Sequence, residues 1–320
     1  MLKVISTLGP SSNNENTIKK LTKVSSSFRI NASHLTSKQL NDLLNKIDKI
    51  YKSDNKYKRE VVIDLKGAKT RIGEYPSVKS LARNISIKNI SISKDKNVIP
   101  VSDKNFFDNI KIKDKLYLND ASVILEVVKL NNDNIECIVL KNGELSSNKG
   151  INIKNHPIKY KSITPVDKSM IEIANKFDFS SFAFSFVLDG SEFEILRQYT
   201  NKKIIAKIER PEAIKNIVNI DDKFDETWLC RGDLGSQAGI EKLGELQYNF
   251  TQNIKNLKKS TYLAGQVLHH LTFFETPTRT EIASLYQIKK EGYKGFVLSD
   301  ETAVGKNIDF IIDFLEKVNI

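Results

Sequence analysis

Residues 203–218 read KIIAKIERPEAIKNIV, and the fold is decided by how this stretch is read. Residues 203–207 form a short Ile-rich run of strand type. From 212 to 218 apolar residues return at spacings of three and four, as they do along one face of a helix. A strand that passes directly into a helix is one β/α unit, and repeated units of this kind build a parallel sheet.

The unit recurs. Strand-like runs rich in Val, Ile and Phe lie at 3–7, 27–31, 60–65, 181–186, 226–230, 261–265 and 295–299, and helical spacing marks 36–50, 168–176, 191–199, 241–257, 281–291 and 309–318. With the run at 203–207 this makes eight strands, an order that predicts an α/β chain folded as a (β/α)8 TIM barrel. One interval breaks the rhythm. Between Ile72 and Pro157 the pattern becomes short alternating strands, VILEVVKL and then IECIVLKNGEL, with Asn142-Gly143 as a hairpin-type turn and no convincing helix. The expectation is a small β-rich lid domain, 72–157, inserted after strand 3 of a barrel made from 1–71 and 158–320. Loops that follow barrel strands lie on the face where chemistry is done, so the insert is expected to cap the site.

Composition narrows the class. The chain has 320 residues, 40% apolar and 28% charged, enough to bury a large core. Apolar runs such as FAFSFVL at 182–188 fall short of the roughly 20 residues that a membrane-spanning helix needs. The opening MLKVISTLGP lacks the apolar core of a signal peptide. No membrane role is expected, and a cytoplasmic location is. Cys137 and Cys230 have no second cysteine near them and read as reduced thiols. In that compartment the tripeptides Asn31-Ala-Ser33 and Asn249-Phe-Thr251 are not glycosylated, and Arg231-Gly232-Asp233 is not an adhesion signal. The net charge of +11 comes from lysines scattered over the whole length, without a block of like charges. Such a pattern reads as solvated helix faces that suit a small, multiply anionic substrate, and no nucleic-acid partner is expected. The pair His269-His270 reads as ordinary loop or helix-start histidines.

The ends of the expected strands carry the chemistry. They present Arg29, Asn31, Ser33 and His34; Asp64, Lys66, Lys69 and Arg71; Lys207 and Glu209; Arg231 and Asp233; Ser299 and Glu301. Glu209 and Asp233, from adjacent strands, are hard oxygen ligands of the kind that hold Mg²⁺ or Mn²⁺ while leaving positions for water and substrate phosphate. Lys207, Arg29 and Arg71 are cations suited to a phosphoryl group whose charge spreads over its oxygens. Gly232 and Gly235 let the backbone approach closely, and helix N-terminal amides can receive a carboxylate. RGDLG at 231–235 therefore reads as a metal-and-carboxylate loop.

Nine segments in order extend this reading: KVISTLGPSS at 3–12, FRINASH at 28–34, IDLKGAKTRIG at 63–73, NKGINI at 148–153, FDFSSFAFSFV at 177–187, IIAKIERPEAIKNI at 204–217, CRGDLG at 230–235, PTRTEIA at 277–283 and LSDETAVGK at 298–306. Together they resemble the pyruvate kinase family over almost the entire chain. The resemblance implies a barrel with a lid and transfer of a phosphoryl group from phosphoenolpyruvate to ADP, giving pyruvate and ATP. It implies Glu209 and Asp233 as ligands of the divalent ion, Lys207 as the group that stabilises the phosphoryl in flight, and Arg29 and Arg71 as phosphate holders. The amides of Gly232 and Asp233 would take the substrate carboxylate. Asn31, Ser33 and Asp64 match positions that hold a monovalent cation, His34 and Lys149 match positions near the nucleotide, and Ser299 with Glu301 match a pair linked to proton handling.

Four departures from the family pattern stand out. Potassium-dependent members carry Thr and Glu where this chain has Leu65 and Lys69, so the resemblance implies that K⁺ is not required. Gly265 replaces a threonine that faces the carbon to be protonated, which opens space for about three heavy atoms and calls for a water relay or a bulkier substrate. Leu188-Asp189 replaces a basic pair, and Asp300 replaces a glycine. The sequence stops one helix after the eighth strand, so control through the family's C-terminal domain is not expected, and association of the chain with copies of itself is left open. The function therefore reads as a compact pyruvate kinase, as a divergent phosphoenolpyruvate or 2-oxo acid enzyme with another acceptor or enolate chemistry, or as a non-catalytic phosphoenolpyruvate-binding protein.

Overall fold

A computed structural model describes residues 1–67, 69–119, 121–154, 156, 158 and 160–318. Pro157, at the expected edge of the insert, lies outside the described residues. The strands in chain order are β1 (Lys3–Leu8), β2 (Ser27–Asn31), β3 (Glu60–Leu65), β4 (Asn84–Lys88), β5 (Val98–Pro100), β6 (Lys115–Leu118), β7 (Val123–Asn131), β8 (Asn134–Lys141), β9 (Ile151–Ile153), β10 (Ser180–Phe184), β11 (Ile204–Ile208), β12 (Glu226–Cys230), β13 (Ser260–Ala264) and β14 (Gly295–Leu298).

Eight of these close into a parallel barrel in the order β1-β14-β13-β12-β11-β10-β3-β2. Every residue of β10, β11, β12 and β14 is buried, as expected of parallel strands covered on both faces. The barrel interior is filled by Ile5, Val62, Ala183, Ile205, Trp228, Tyr262 and Val297. Trp228 is fully buried, and its indole N–H donates to Glu226 Oε1 at 2.8 Å. The helices between strands have readable starts. Thr36 and Thr278 form capping boxes for Ser37–Ser53 and Arg279–Lys290, and Thr164 caps Pro165–Ala174.

Several elements differ from expectation. The helix expected over 212–218 is two, Pro211–Lys215 and Ile217–Lys223, which meet at Asn216. Helix Glu15–Leu21, capped by Asn14, lies between β1 and β2, where no helix had been expected. The RGDLG segment is not a loop. It is the start of helix Arg231–Ala238, which leaves β12 without an intervening residue.

The chain divides into two compact units, Met1–Gly67 with Ser162–Ile320 and Ala68–Lys161. The smaller unit is a six-stranded sheet in the order β5-β4-β8-β7-β6-β9 around its own apolar core, which includes Ile87, Ile99, Phe106, Leu116, Val127 and Cys137. Its main hairpin turns between β7 and β8, where Asn131 pairs with Asn134, rather than at Asn142-Gly143. Asn142 instead uses its amide group to accept from Leu81 N–H at 2.7 Å and donate to Leu81 C=O at 2.8 Å. The unit also contains a short helix, Lys104–Asn109, capped by Asp103. No helix of the described residues is long and apolar enough to cross a membrane.

Within the barrel unit, the point where the chain leaves and the point where it returns are joined by one side chain. Asp167, in the first turn of helix Pro165–Ala174, is buried and accepts the amides of Lys66 and Gly67, each at 3.0 Å. Gly67 lies at φ 62°, and a Cβ there would fall 2.3 Å from Ser185 O, so this crossing admits only glycine.

Candidate active site

The ends of β2, β3, β10 and β11 bring four ionic groups into one network. Arg29 reaches Asp64 Oδ2 with Nε at 2.7 Å and Nη2 at 2.6 Å, and Nη1 donates to Thr7 Oγ1 at 3.0 Å. Lys207 Nζ lies 3.1 Å from Asp64 Oδ1, 2.9 Å from Glu209 Oε1 and 2.9 Å from Ser185 Oγ. Glu209 Oε2 accepts the amide of Phe186 at 2.7 Å. Relative exposure is 2% for Asp64, 7% for Lys207 and 0% for Glu209, so these charges interact where solvent screens them little.

The protonation states follow from that burial. Burial favours the neutral form of Asp64, but Lys207 and Arg29 outweigh it and hold the carboxyl below its ordinary value. Burial also weakens the Lys207 ammonium, and Asp64 and Glu209 reverse this and hold it far above its usual range. Cys230 behaves differently. Burial pushes its thiol well up, the nearby carboxylates add to the shift, and it stays protonated.

A cavity of about 150 Å³ opens beside this network, lined by Arg29, Lys207, Glu209, Cys230, Gly232, Asp233, Gly265 and Ser299. Glu209 and Asp233 thus border one space. Two carboxylates offer hard oxygen donors that fit Mg²⁺ or Mn²⁺, and among the described residues no group of three or more His, Cys, Asp or Glu converges to enclose a metal. Gly232 and Asp233 occupy the first turn of helix Arg231–Ala238, where amide groups have no partner within the helix and the helix dipole favours anions. A larger groove of about 490 Å³, lined by Met1, Val4, Leu285, Phe296 and Val318 among others, holds none of the strand-end groups.

Gly265 has a backbone reason to be glycine. Its φ is 94°, and a Cβ would lie 3.2 Å from Gly232 N. Its carbonyl accepts Arg231 Nε at 2.8 Å and Nη2 at 2.6 Å, and Nη2 also donates to Gln266 O at 2.7 Å. The space noted from the sequence is therefore tied to a positive-φ turn of the chain, held by Arg231.

The other sequence candidates are placed as follows. Asn31 pairs in register with Asp64 and accepts Ser33 N–H, which starts a short turn that leaves Ser33 and His34 exposed. Glu301 is buried and accepts the amides of Ser299 at 2.6 Å and Leu268 at 3.1 Å, so it ties the loops after β13 and β14 together, and burial raises its carboxyl. Lys69, Arg71 and Lys149 belong to the smaller unit, where Arg71 Nη1 donates to Asn148 O at 2.9 Å and Lys149 O accepts from Ile72 N. His270 is structural: its ring stacks on Phe274 and lies 2.6 Å from Thr276 O. Thr7, Ser185 and Phe186 belong to the ionic network and were not singled out from the sequence. Thr7 and Ser185 sit in apolar runs that read as plain strand, and nothing in the run marks Phe186 for its φ of 62°.

Asp64→Asn should destabilise the chain by about 3–5 kcal/mol in urea unfolding, because it leaves two buried cations short of a counter-charge. Because the folded-state value of Asp64 is depressed, its contribution is present above the ordinary aspartate range and lost as pH falls below that range through the lower folded value. The variant should therefore lose less stability on acidification than the parent. Gly265→Thr should lower stability by about 1–3 kcal/mol, measured the same way, because a side chain is strained at this φ.

Comparison with known proteins agrees with the barrel. The family model described as "Pyruvate kinase, barrel domain" matches residues 1–308. A pyruvate kinase from Thermococcus litoralis is 32% identical over 99% of this chain and 68% of its own length, and one from Thermotoga maritima is 28% identical over 99% and 70%. A plastidial pyruvate kinase from Arabidopsis thaliana is 29% identical, with 95% of this chain covering 55% of its length. A crystal structure of a pyruvate kinase from Cryptosporidium parvum superimposes with a TM-score of 0.80 at 25% identity, over 98% of this chain and 67% of that one. The matched span, the closed eight-stranded barrel and the ordered motifs at its strand ends place this chain in the pyruvate kinase family.

Proposed function

We propose that this chain transfers the phosphoryl group of phosphoenolpyruvate to ADP, releasing pyruvate and ATP, with a divalent cation held by Glu209 and Asp233. The observation that carries the reading is Lys207, a buried ammonium fixed by Asp64, Glu209 and Ser185 at the edge of a cavity that Asp233 and Gly232 also line. In this reading Lys207 meets the charge on the phosphoryl oxygens as the group leaves the enol oxygen, and Arg29 balances the phosphate from the opposite side of Asp64. The amides of Gly232 and Asp233 bind the substrate carboxylate. Glu209 and Asp233 would hold the divalent cation, which would supply neutralisation of the phosphate charge. Glu301, by holding the amide of Ser299, orients the segment assigned to proton delivery. Arg71 as a phosphate holder, and His34 and Lys149 at the nucleotide, carry over from the resemblance.

The same reading makes K⁺ unnecessary. Both oxygens of Asp64 are engaged by Arg29 and Lys207, and the resemblance puts Lys69 where potassium-dependent members have a glutamate.

A second reading, an enzyme of the same substrate with another acceptor or other enolate chemistry, is favoured by the segment after β10. Leu188 is buried there and its amide donates to Glu192, while Asp189 accepts from Ser191. The family's basic pair is absent from this segment, which removes two charges suited to a nucleotide phosphate.

The test is pyruvate release from phosphoenolpyruvate with Mg²⁺, measured with ADP, without ADP and with alternative acceptors. Release that requires ADP supports the first reading; release without ADP, or only with another acceptor, supports the second; binding without release points to a non-catalytic protein. Leu65→Thr with Lys69→Glu should create a requirement for K⁺ in that assay, and unchanged rates without K⁺ would count against the assignment of Lys69.

A further inference from the structure

We propose that Ser185 is a positioning residue for Lys207, its hydroxyl oxygen fixing the third donor of the ammonium. The kinetic consequence rests on the phosphotransfer reading above, whereas the structural consequence stands on geometry alone.

Strand β10 ends at Phe184, and the next two residues each hold one functional group at the end of β11. Ser185 Oγ lies 2.8 Å from the carbonyl of Leu65 and 3.3 Å from Asp64 Oδ1, so its single proton goes to the nearer carbonyl. With the proton committed, the lone pairs of the oxygen are left to accept, and Lys207 Nζ lies 2.9 Å away. The ammonium has three N–H donors and faces three acceptors, namely Ser185 Oγ, Glu209 Oε1 and Asp64 Oδ1. Two of these are carboxylates that pull strongly. The neutral hydroxyl sets the direction from which the ammonium is held off them.

Ser185 is itself immobile. Its backbone packs so closely against Gly67 that a Cβ on Gly67 would fall 2.3 Å from Ser185 O and 2.8 Å from Ser185 N. The chain then turns through Phe186 at φ 62°, which points that residue's amide at Glu209 Oε2 at 2.7 Å. A side chain at 185 and an amide at 186 therefore orient Lys207 and Glu209 separately. Without the Ser185 oxygen, one donor of a buried ammonium loses its acceptor, and the four-carbon stem lets the charge swing toward a carboxylate.

The experiment compares Ser185→Ala, Ser185→Cys and Ser185→Thr in the full chain, by crystal structure, thermal unfolding and steady-state kinetics with phosphoenolpyruvate. Cysteine keeps most of the serine's volume but is a weak acceptor, so it separates hydrogen bonding from packing. In the Ala and Cys variants the Lys207 ammonium should leave its place between Asp64 and Glu209, and kcat should fall by about 10- to 100-fold with KM little changed. Threonine should restore both. The proposal is overturned if the ammonium keeps its position in the Ala and Cys variants, or if Cys matches wild type while Ala does not. Should the Ala variant not fold, the Cys variant carries the comparison. If the parent protein releases no pyruvate with any acceptor, the phosphotransfer reading fails, and the position of the ammonium still decides the role of Ser185.

Discussion

Arg29, Asp64, Lys207 and Glu209 share the buried rim of the barrel as two positive and two negative groups, and the balance among them constrains everything around them. Moving any one ion out of water is unfavourable by several kcal/mol, and mutual attraction repays this only when the geometry is good and the remaining hydrogen-bonding capacity is used. Much of that capacity is used here. Asp64 is divided between Arg29 and Lys207, Glu209 between Lys207 and the amide of Phe186, and Thr7 takes a further donor of Arg29. The partners come from the ends of five strands, β1, β2, β3, β10 and β11, with Lys207 and Glu209 both from β11, so the network holds only if the barrel is closed in the right register. The pairings of Asn31 with Asp64 and of Ala183 with Asp64 set that register across β2, β3 and β10.

Much of this was legible in the sequence because a parallel barrel repeats one local signal. Strands as apolar as IIAKI and SSFAF need cover on both faces, and the helical spacing after each run shows what provides it. The charged groups were legible for the same reason, since a Lys or Glu at the end of an apolar run needs an opposite charge or a site to meet at the strand terminus. What escaped was geometry without a compositional mark. Helix Arg231–Ala238 begins at Cys230, with no capping side chain, and contains two glycines, so its segment reads as a loop. Asn142-Gly143 has hairpin chemistry, yet Asn142 serves as a bridge to Leu81, while the true turn lies at Asn132-Asp133, which carries no glycine. Helix Lys104–Asn109 did have a signal, the cap at Asp103, but six residues are too few to show a period. The loss of a side chain at Gly265 was visible from sequence. The backbone turn that requires it was not.

The chain spans about two thirds of the length of the archaeal and bacterial relatives described above and little more than half of the plastidial one. Within that span the departures are spread over several strand ends. Leu188, Asp189 and Gly265 lie after β10 and β13, and Arg231 ties the Gly265 turn to the helix that carries Gly232 and Asp233.

Asp167 has a different kind of consequence. Its carboxylate stitches the outgoing backbone at Lys66 and Gly67 to the helix that receives the chain on its return, and it does so with atoms of the barrel unit alone. The seam between host and guest is thus sealed from the host side. The link that spans this crossing therefore calls on no side chain of residues 68–161, and a different excursion between the same two points would leave it in place.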